Sequence, residues 1–135
     1  MTKEIFSLFT DGGARGNPGP AAIGGALYNT KDKEIDCFSL TIGSATNNVA
    51  EYKALIQGLE IALANSVGHL RCYLDSELVV KQLNKQYRVK DKTLQSLFVQ
   101  VWNRSLKFNS ISWHHIPREK NKRADHLVNQ ALDSN

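Results

Sequence analysis

Cysteine is scarce in this 135-residue chain, which contains only Cys37 and Cys72 and no CxxC pair. That scarcity excludes a cysteine-based zinc site and a disulfide framework. Each cysteine lies in an apolar, strand-like segment. We therefore predict two buried free thiols in a reducing compartment.

Long hydrophobic runs are also missing, since the longest apolar stretches are only a few residues. A transmembrane helix is therefore not expected. The opening residues, Met1-Thr2-Lys3-Glu4, lead into a strand-like segment without the apolar stretch of a signal peptide. We expect a cytoplasmic protein that does not contact a membrane.

The composition is that of an ordinary globular protein, with 41% hydrophobic and 22% charged residues, which argues against a disordered chain. A length of 135 residues is the size of one domain, so we expect a single domain over residues 1–135. The 17 Lys and Arg against 13 Asp and Glu leave a net charge of +4. That charge suits a polyanionic partner, and it suits solubility equally well.

The pattern of apolar residues predicts an α/β fold. Five segments have the character of strands: 4–10, 21–29, 34–42, 69–74 and 110–115. Four segments have helical periodicity: 48–64, 76–85, 93–107 and 122–132. We predict that Asn47 or Asn48 caps the first helix and that Leu78 of the second points inward. The order βββαβααβα predicts a five-stranded mixed sheet with helices packed on it.

Four carboxylates lie at the ends of predicted elements. Asp11 and Asp75 follow the first and fourth strands, Glu51 lies in the first turn of the first helix, and Asp125 opens the last helix. If the two strands are parallel neighbours, the carboxylates that follow them meet at one edge of the sheet. Any one of them alone could simply cap a helix or interact with its dipole. Together they would repel one another, and a hard cation such as Mg²⁺ or Mn²⁺ would neutralise them.

Four short motifs occur in order along the chain: TDGG at 10–13 followed by GNPGP at 16–20, TNNVAE at 46–51, LDS at 74–76, and NKRAD at 121–125. In sequence and in spacing they resemble the motifs of the ribonuclease HI family. The resemblance covers essentially the whole chain. A DGG triplet alone would have no such meaning, whereas four linked motifs are specific.

The resemblance implies a ribonuclease H-like fold and an endoribonuclease that hydrolyses the RNA strand of RNA–DNA hybrids, leaving 3′-hydroxyl and 5′-phosphate ends. It implies that Asp11, Glu51, Asp75 and Asp125 hold two Mg²⁺ ions, for which Mn²⁺ could substitute. The expected chemistry is in-line attack of a metal-activated water on the scissile phosphate.

We predict substrate contacts at eight positions: Gly12, Gly13, Asn17, Asn47, Asn48, Ser76, Arg88 and Lys90. The resemblance implies those in the region of Gly12 to Asn17 and in the asparagine pair. The glycines would allow a close approach to the RNA backbone. The asparagine pair would contact the minor groove of the hybrid, although helix capping is an equally good interpretation of that pair.

The chain departs from the best-studied bacterial members in two regions. Residues 85–92 form a short basic link where those members carry a long basic insertion, and this link is either a substrate contact or a solvated connector. His115 lies ten residues before Asp125, the spacing of the mobile catalytic histidine of bacterial members. The segment that follows differs from theirs and resembles that of archaeal-type and plant-type members, in which an arginine takes over product release. Arg118 is therefore an equal candidate for a similar role, and His115 could also be a strand-end histidine without a special role.

Two other functions remain open from the sequence. One is a non-catalytic nucleic-acid-binding module on the same fold, which the four retained carboxylates disfavour. The other is a transposase-like or resolvase-like enzyme, which the length disfavours because it leaves no space for a DNA-binding domain. We expect a monomer, and the sequence does not decide whether double-stranded RNA is also cleaved.

Overall fold

The computed structural model describes residues 4–134. Residues 1–3, which belong to the start predicted to lack a signal peptide, and residue 135, the last of the predicted single domain, lie outside this range. The described chain contains five strands: β1 (Ile5–Ala14), β2 (Gly19–Tyr28), β3 (Glu34–Ala45), β4 (His69–Leu74) and β5 (Ser110–His115). It also contains four α-helices: α1 (Asn47–Ala64), α2 (Glu77–Leu83), α3 (Lys92–Ser105) and α4 (Lys122–Asp133). A short 3-10 turn, Arg118–Lys120, precedes α4.

The strands form one mixed sheet in the order β3-β2-β1-β4-β5. β1 pairs antiparallel with β2, and β2 antiparallel with β3, as in a meander. On its other edge β1 pairs parallel with β4, and β4 parallel with β5. The predicted five-stranded mixed α/β fold is confirmed, and β1 lies at its centre.

β2 is almost wholly apolar because helices cover both of its faces. Ile23 packs with Ala54 of α1, whereas Ala22 on the opposite face packs with Val128 of α4. A Cβ atom on Gly24 would lie 2.7 Å from the Leu127 Cβ, so only glycine lets α4 approach this closely. The same Cβ would lie 2.8 Å from the Ala124 carbonyl oxygen, so the first turn of α4, which contains Asp125, packs against β2 here.

β1 is longer than the sequence pattern indicates. Its pairing with β4 ends where Thr10 faces Leu74, but its pairing with β2 continues from Asp11 to Ala14. Asp11 therefore lies inside a strand rather than just past one. The prediction ended β1 at Thr10 because glycines interrupt the alternating pattern there, yet the antiparallel partner keeps the backbone extended.

Three local predictions are wrong. The N-cap of α1 is Thr46, whose Oγ1 accepts a hydrogen bond from the Val49 N–H at 3.2 Å, and the asparagine pair that follows forms the first helical residues. Cys72 is buried as predicted, but Cys37 is exposed because it lies on the edge strand β3. Leu78 in α2 is directed to solvent rather than to the core.

Among residues 4–134, no helix combines the length and apolar character that crossing a membrane requires.

Candidate active site

Three carboxylates meet at the edge of the sheet where β1 and β4 separate. Asp11 comes from β1, Asp75 follows β4, and Glu51 comes from the first half of α1. Within residues 4–134, one carboxylate oxygen from each of the three lies within 4.8 Å of the other two. The parallel pairing of β1 with β4 causes this convergence, because it brings the ends of both strands to the same edge.

Gly12 allows α1 to reach this edge. A Cβ atom at Gly12 would overlap the carbonyl group of Ala50, so any other residue would push the helix away. The Gly12 N–H donates to Glu51 Oε1 at 2.5 Å and to Asp11 Oδ1 at 3.0 Å. A backbone amide thus holds two carboxyl groups that would otherwise repel each other.

The buried position of the site makes its charges costly. Burial raises the pKa of Asp11 from 3.8 to about 6; a hydrogen bond with Glu51 acts against the rise, and the charges of Asp75 and Asp125 add to it. Burial, followed by the hydrogen bond and charge of Asp11, also raises the pKa of Glu51 well above its ordinary range. Concentrating negative charge at this buried site therefore costs stability.

The chemistry of these groups suits a divalent cation. Glu51 Oε2 is buried, and in the described part of the chain it has no hydrogen-bond partner. A buried carboxylate oxygen without a partner is costly unless something outside the protein binds it. Three close carboxylates are hard oxygen ligands of the kind that Mg²⁺, Mn²⁺ and Ca²⁺ take. Asp11, Glu51 and Asp75 therefore form a cluster able to hold a divalent metal ion.

The three carboxylates lie in an open cleft of about 370 Å³. Asp125 also lines this cleft, from the first turn of α4, but it lies outside the close group of three. Other predicted site residues line the same cleft: Gly12, Gly13, Asn47, Asn48, Ser76 and Arg118. The structure thus brings ten of the predicted positions together at one edge of the sheet.

Some of these predicted residues also have structural roles. Asn17 Oδ1 accepts a hydrogen bond from the Asn47 N–H at 3.0 Å, and Asn47 Oδ1 accepts one from the Ala14 N–H at 2.9 Å. Ser76 caps α2, because its Oγ accepts from the Val79 N–H at 3.3 Å. Asn17 itself lies beside the cleft, in an adjoining hollow that it shares with the asparagine pair.

The remaining predicted residues lie away from the carboxylates. His115 is exposed at the end of β5 and does not line the cleft. Arg88 lines a separate groove between α2 and α3, and Lys90 is exposed on the same link. Of His115 and Arg118, the two candidates for a role in proton transfer or product release, only Arg118 lines the cleft.

Sequence reasoning gave no role to three residues near the site. Arg15 and Asn129 line the cleft, and Arg15 forms an ion pair with Asp133 at 2.5 Å. Asn121 is almost wholly buried and binds Asp75. The motif at 121–125 contained Asn121, but nothing in its neighbours predicts burial, since Lys120 and Lys122 are both exposed.

Comparison with known proteins gives consistent results from sequence and from structure. The family described as reverse transcriptase-like matches residues 9–131. The chain is 42% identical over 125 residues to ribonuclease HI of Halobacterium salinarum, an alignment that covers 93% of this chain and 63% of that protein. It is 40% identical over 125 residues to the bifunctional protein Rv2228c of Mycobacterium tuberculosis, covering 92% of this chain and 34% of that protein. The chain thus spans about a third to two thirds of the length of these relatives.

Solved structures give the same result over nearly complete chains. The crystal structure of RNase H1 from Halobacterium salinarum has a TM-score of 0.95 and 40% identity, covering 97% of this chain and 99% of that one. The crystal structure of LC11-RNase H1 in complex with an RNA/DNA hybrid has a TM-score of 0.90 and 42% identity, covering 96% of this chain and 97% of that one.

The raised pKa of Asp11 predicts how metal-free stability depends on pH. The folded protein holds the Asp11 proton more tightly than the unfolded chain does, so stability should fall as the pH rises from about 4 to 6 and stay lower above that range. In EDTA at pH 8, Asp11→Asn should therefore be more stable than wild type by about 2 kcal/mol. At pH 3.5 the two proteins should have similar stability.

Thermal unfolding at the two pH values measures this difference. Excess MgCl₂ at pH 8 should narrow the difference in stability, because a bound cation relieves more repulsion in the wild type, which keeps all three carboxylates. A wild-type protein more stable than Asp11→Asn in EDTA at pH 8 would show that the three carboxylates do not repel one another.

Proposed function

This chain belongs to the ribonuclease H family, and we propose that it is an endoribonuclease that hydrolyses the RNA strand of RNA–DNA hybrids, leaving 3′-hydroxyl and 5′-phosphate ends. The observation that carries the proposal is the convergence of Asp11, Glu51 and Asp75 around an unpartnered buried oxygen in an open cleft. The crystallisation of the relative LC11-RNase H1 with an RNA/DNA hybrid supports the choice of substrate.

A non-catalytic binding module is the weaker alternative for a physical reason. A module that only bound a nucleic acid would gain from positive charge and lose from a buried negative cluster, since that cluster repels phosphates. The carboxylates become useful only when cations lie between them and the substrate. Their retention at a cost in stability therefore supports catalysis.

We propose that Asp11, Glu51 and Asp75 hold divalent cations together with Asp125 from the facing wall. Two Mg²⁺ ions are the expected occupants, and Mn²⁺ could replace them. Such ions, when bound, supply a water of lowered pKa and charge stabilisation for the leaving oxygen. The carboxylates fix where that chemistry takes place, because β1, α1 and the end of β4 hold them rigidly.

The cleft walls offer groups for the nucleic acid itself. The side-chain Oδ1 atoms of Asn17 and Asn47 already accept hydrogen bonds within the protein. Their side-chain NH₂ groups could donate to phosphates or base edges. Gly12 and Gly13 present backbone without side chains, so a sugar-phosphate chain can approach closely. Asn48 and Ser76 also line the cleft and could contact a nucleic-acid strand bound there.

The basic link between α2 and α3 offers a second contact surface, separate from the cleft. Arg88 and Lys90 are exposed there, and we propose that they contact the phosphates of the duplex. The net charge of +4 is modest and the link is short, so we expect the salt dependence of binding to reflect a few phosphate contacts rather than ten.

A panel of duplexes tests the proposed function. RNA–DNA, RNA–RNA and DNA–DNA duplexes of one sequence should be incubated with the protein in MgCl₂ and in EDTA, with product ends analysed by mass spectrometry. We expect cleavage of the hybrid RNA strand only with MgCl₂, giving 5′-phosphate ends. Cleavage in excess EDTA, or equal rates on DNA–DNA, would contradict the proposal; cleavage of RNA–RNA would widen the substrate range.

Asp75→Asn is the matched control for this panel, because it keeps the size of the side chain and removes its charge. Loss of a group that only supports a metal ligand already costs about 10- to 100-fold, so loss of a ligand carboxylate should cost at least about 100-fold. A variant with nearly full turnover at saturating MgCl₂ would show that Asp75 is not a ligand.

The location of Arg118 on the cleft wall predicts that it, rather than His115, assists the reaction. A guanidinium there can stabilise phosphate charge that develops during cleavage. Arg118→Ala should therefore lower kcat on the order of 100-fold with little change in KM. His115→Ala should stay within about twofold of wild type for both constants. The reverse pattern, a large kcat loss in His115→Ala with a silent Arg118→Ala, would assign the role to the histidine.

A further inference from the structure

Asn121 is a buried amide in an otherwise exposed turn. It follows the 3-10 turn Arg118–Lys120 and is only 1% exposed, although Lys120 and Lys122 on either side are exposed. Burial of an amide is costly unless hydrogen bonds replace those to water. Such bonds are made by its Nδ2, whereas its Oδ1 has no hydrogen-bond partner among residues 4–134.

The Asn121 side chain connects two elements of the active site. Its Nδ2 donates to the Thr10 carbonyl oxygen at 2.9 Å and to Asp75 Oδ2 at 3.1 Å. Thr10 faces Leu74 in the last pair of the β1–β4 ladder, directly before Asp11 and Asp75. The amide thus lies at the point where the two strands separate, and it holds both of them.

The backbone of Asn121 fixes two further cleft residues. Its N–H donates to the Arg118 carbonyl oxygen at 2.9 Å, and its carbonyl oxygen accepts from the Asp125 N–H at 3.1 Å. One residue therefore positions the turn that carries Arg118 and the first turn of the helix that carries Asp125.

Helix capping does not account for this side chain. Asn121 occupies the N-cap position of α4, where asparagine ordinarily binds a backbone N–H of the first turn. Within the described residues its side chain makes no such bond. The amide is directed to the Asp75 carboxylate instead, so its side chain serves the site rather than the helix end.

We propose that Asn121 is a positioning residue that orients the Asp75 carboxylate for metal binding. A donor fixed to Oδ2 sets the plane of the carboxylate and therefore the direction of its other oxygen. The same donor satisfies one lone pair of Asp75 without neutralising its charge. The effect of Asn121 on catalysis rests on the proposed function. Its effect on the affinity for metal ions can be measured without any substrate.

Titration calorimetry with MgCl₂ and with MnCl₂, in the absence of substrate, tests the proposal. Asn121→Ala should bind each ion about 10- to 100-fold more weakly than wild type, because the carboxylate loses its fixed orientation. At saturating MgCl₂ its kcat on hybrid should fall while KM changes little. Asn121→Leu, which is close in size to asparagine, removes the donor without a large cavity and provides the same test if the alanine variant does not fold.

Gln82→Ala is the matched control for lost stability. Gln82 is a second buried amide, in α2, and its Oε1 accepts from the Tyr52 hydroxyl at 2.7 Å rather than binding a carboxylate. This variant should unfold at a lower temperature yet bind both ions within about twofold of wild type.

The outcomes separate this proposal from the proposed function. Wild-type metal affinity in the folded Asn121 variants, or a wild-type protein that binds neither ion, would overturn the positioning role. Weakened binding in those variants would support it even if the wild type failed to cleave the hybrid, an outcome that would instead contradict the proposed function.

Discussion

The central constraint in this structure is the repulsion among Asp11, Glu51 and Asp75. Their oxygens lie within 4.8 Å of one another at a buried edge, and burial raises the pKa values of the first two. Side chains with that repulsion would move apart on a flexible chain. They stay together because β1 is paired on both of its edges and the Gly12 N–H binds Glu51 directly.

The rest of the fold is arranged around that edge. α1 contacts one face of the sheet and reaches the site because Gly12 has no side chain. α4 contacts the other face because Gly24 has none, and this contact brings Asp125 to the cleft. The helices are thus placed by two glycines on neighbouring strands, and they close the site from opposite faces of the sheet.

The sequence predicted the order of elements and ten of the residues that line the cleft, because periodicity and element ends are local properties, but it missed Arg15 and Asn129. It did not predict that β1 continues past Asp11, since that depends on pairing with β2. It predicted Asn47 or Asn48 as the N-cap of α1, whereas the N-cap is Thr46. Threonine and asparagine are both good capping residues, so the local sequence does not separate these three positions. Nothing in the sequence indicated that Asn121 binds an active-site carboxylate, since only the folded chain brings it to Thr10 and Asp75.

A crystal structure of the protein grown with MnCl₂ is the most direct test of the central claim, because anomalous scattering locates manganese independently of activity. The account predicts an anomalous peak bounded by oxygens of Asp11, Glu51 and Asp75, at about 2.0–2.2 Å from its ligands, as expected for a small hard cation of this class. An ordered cleft without a peak at those three carboxylates, at MnCl₂ concentrations that support cleavage, would contradict it.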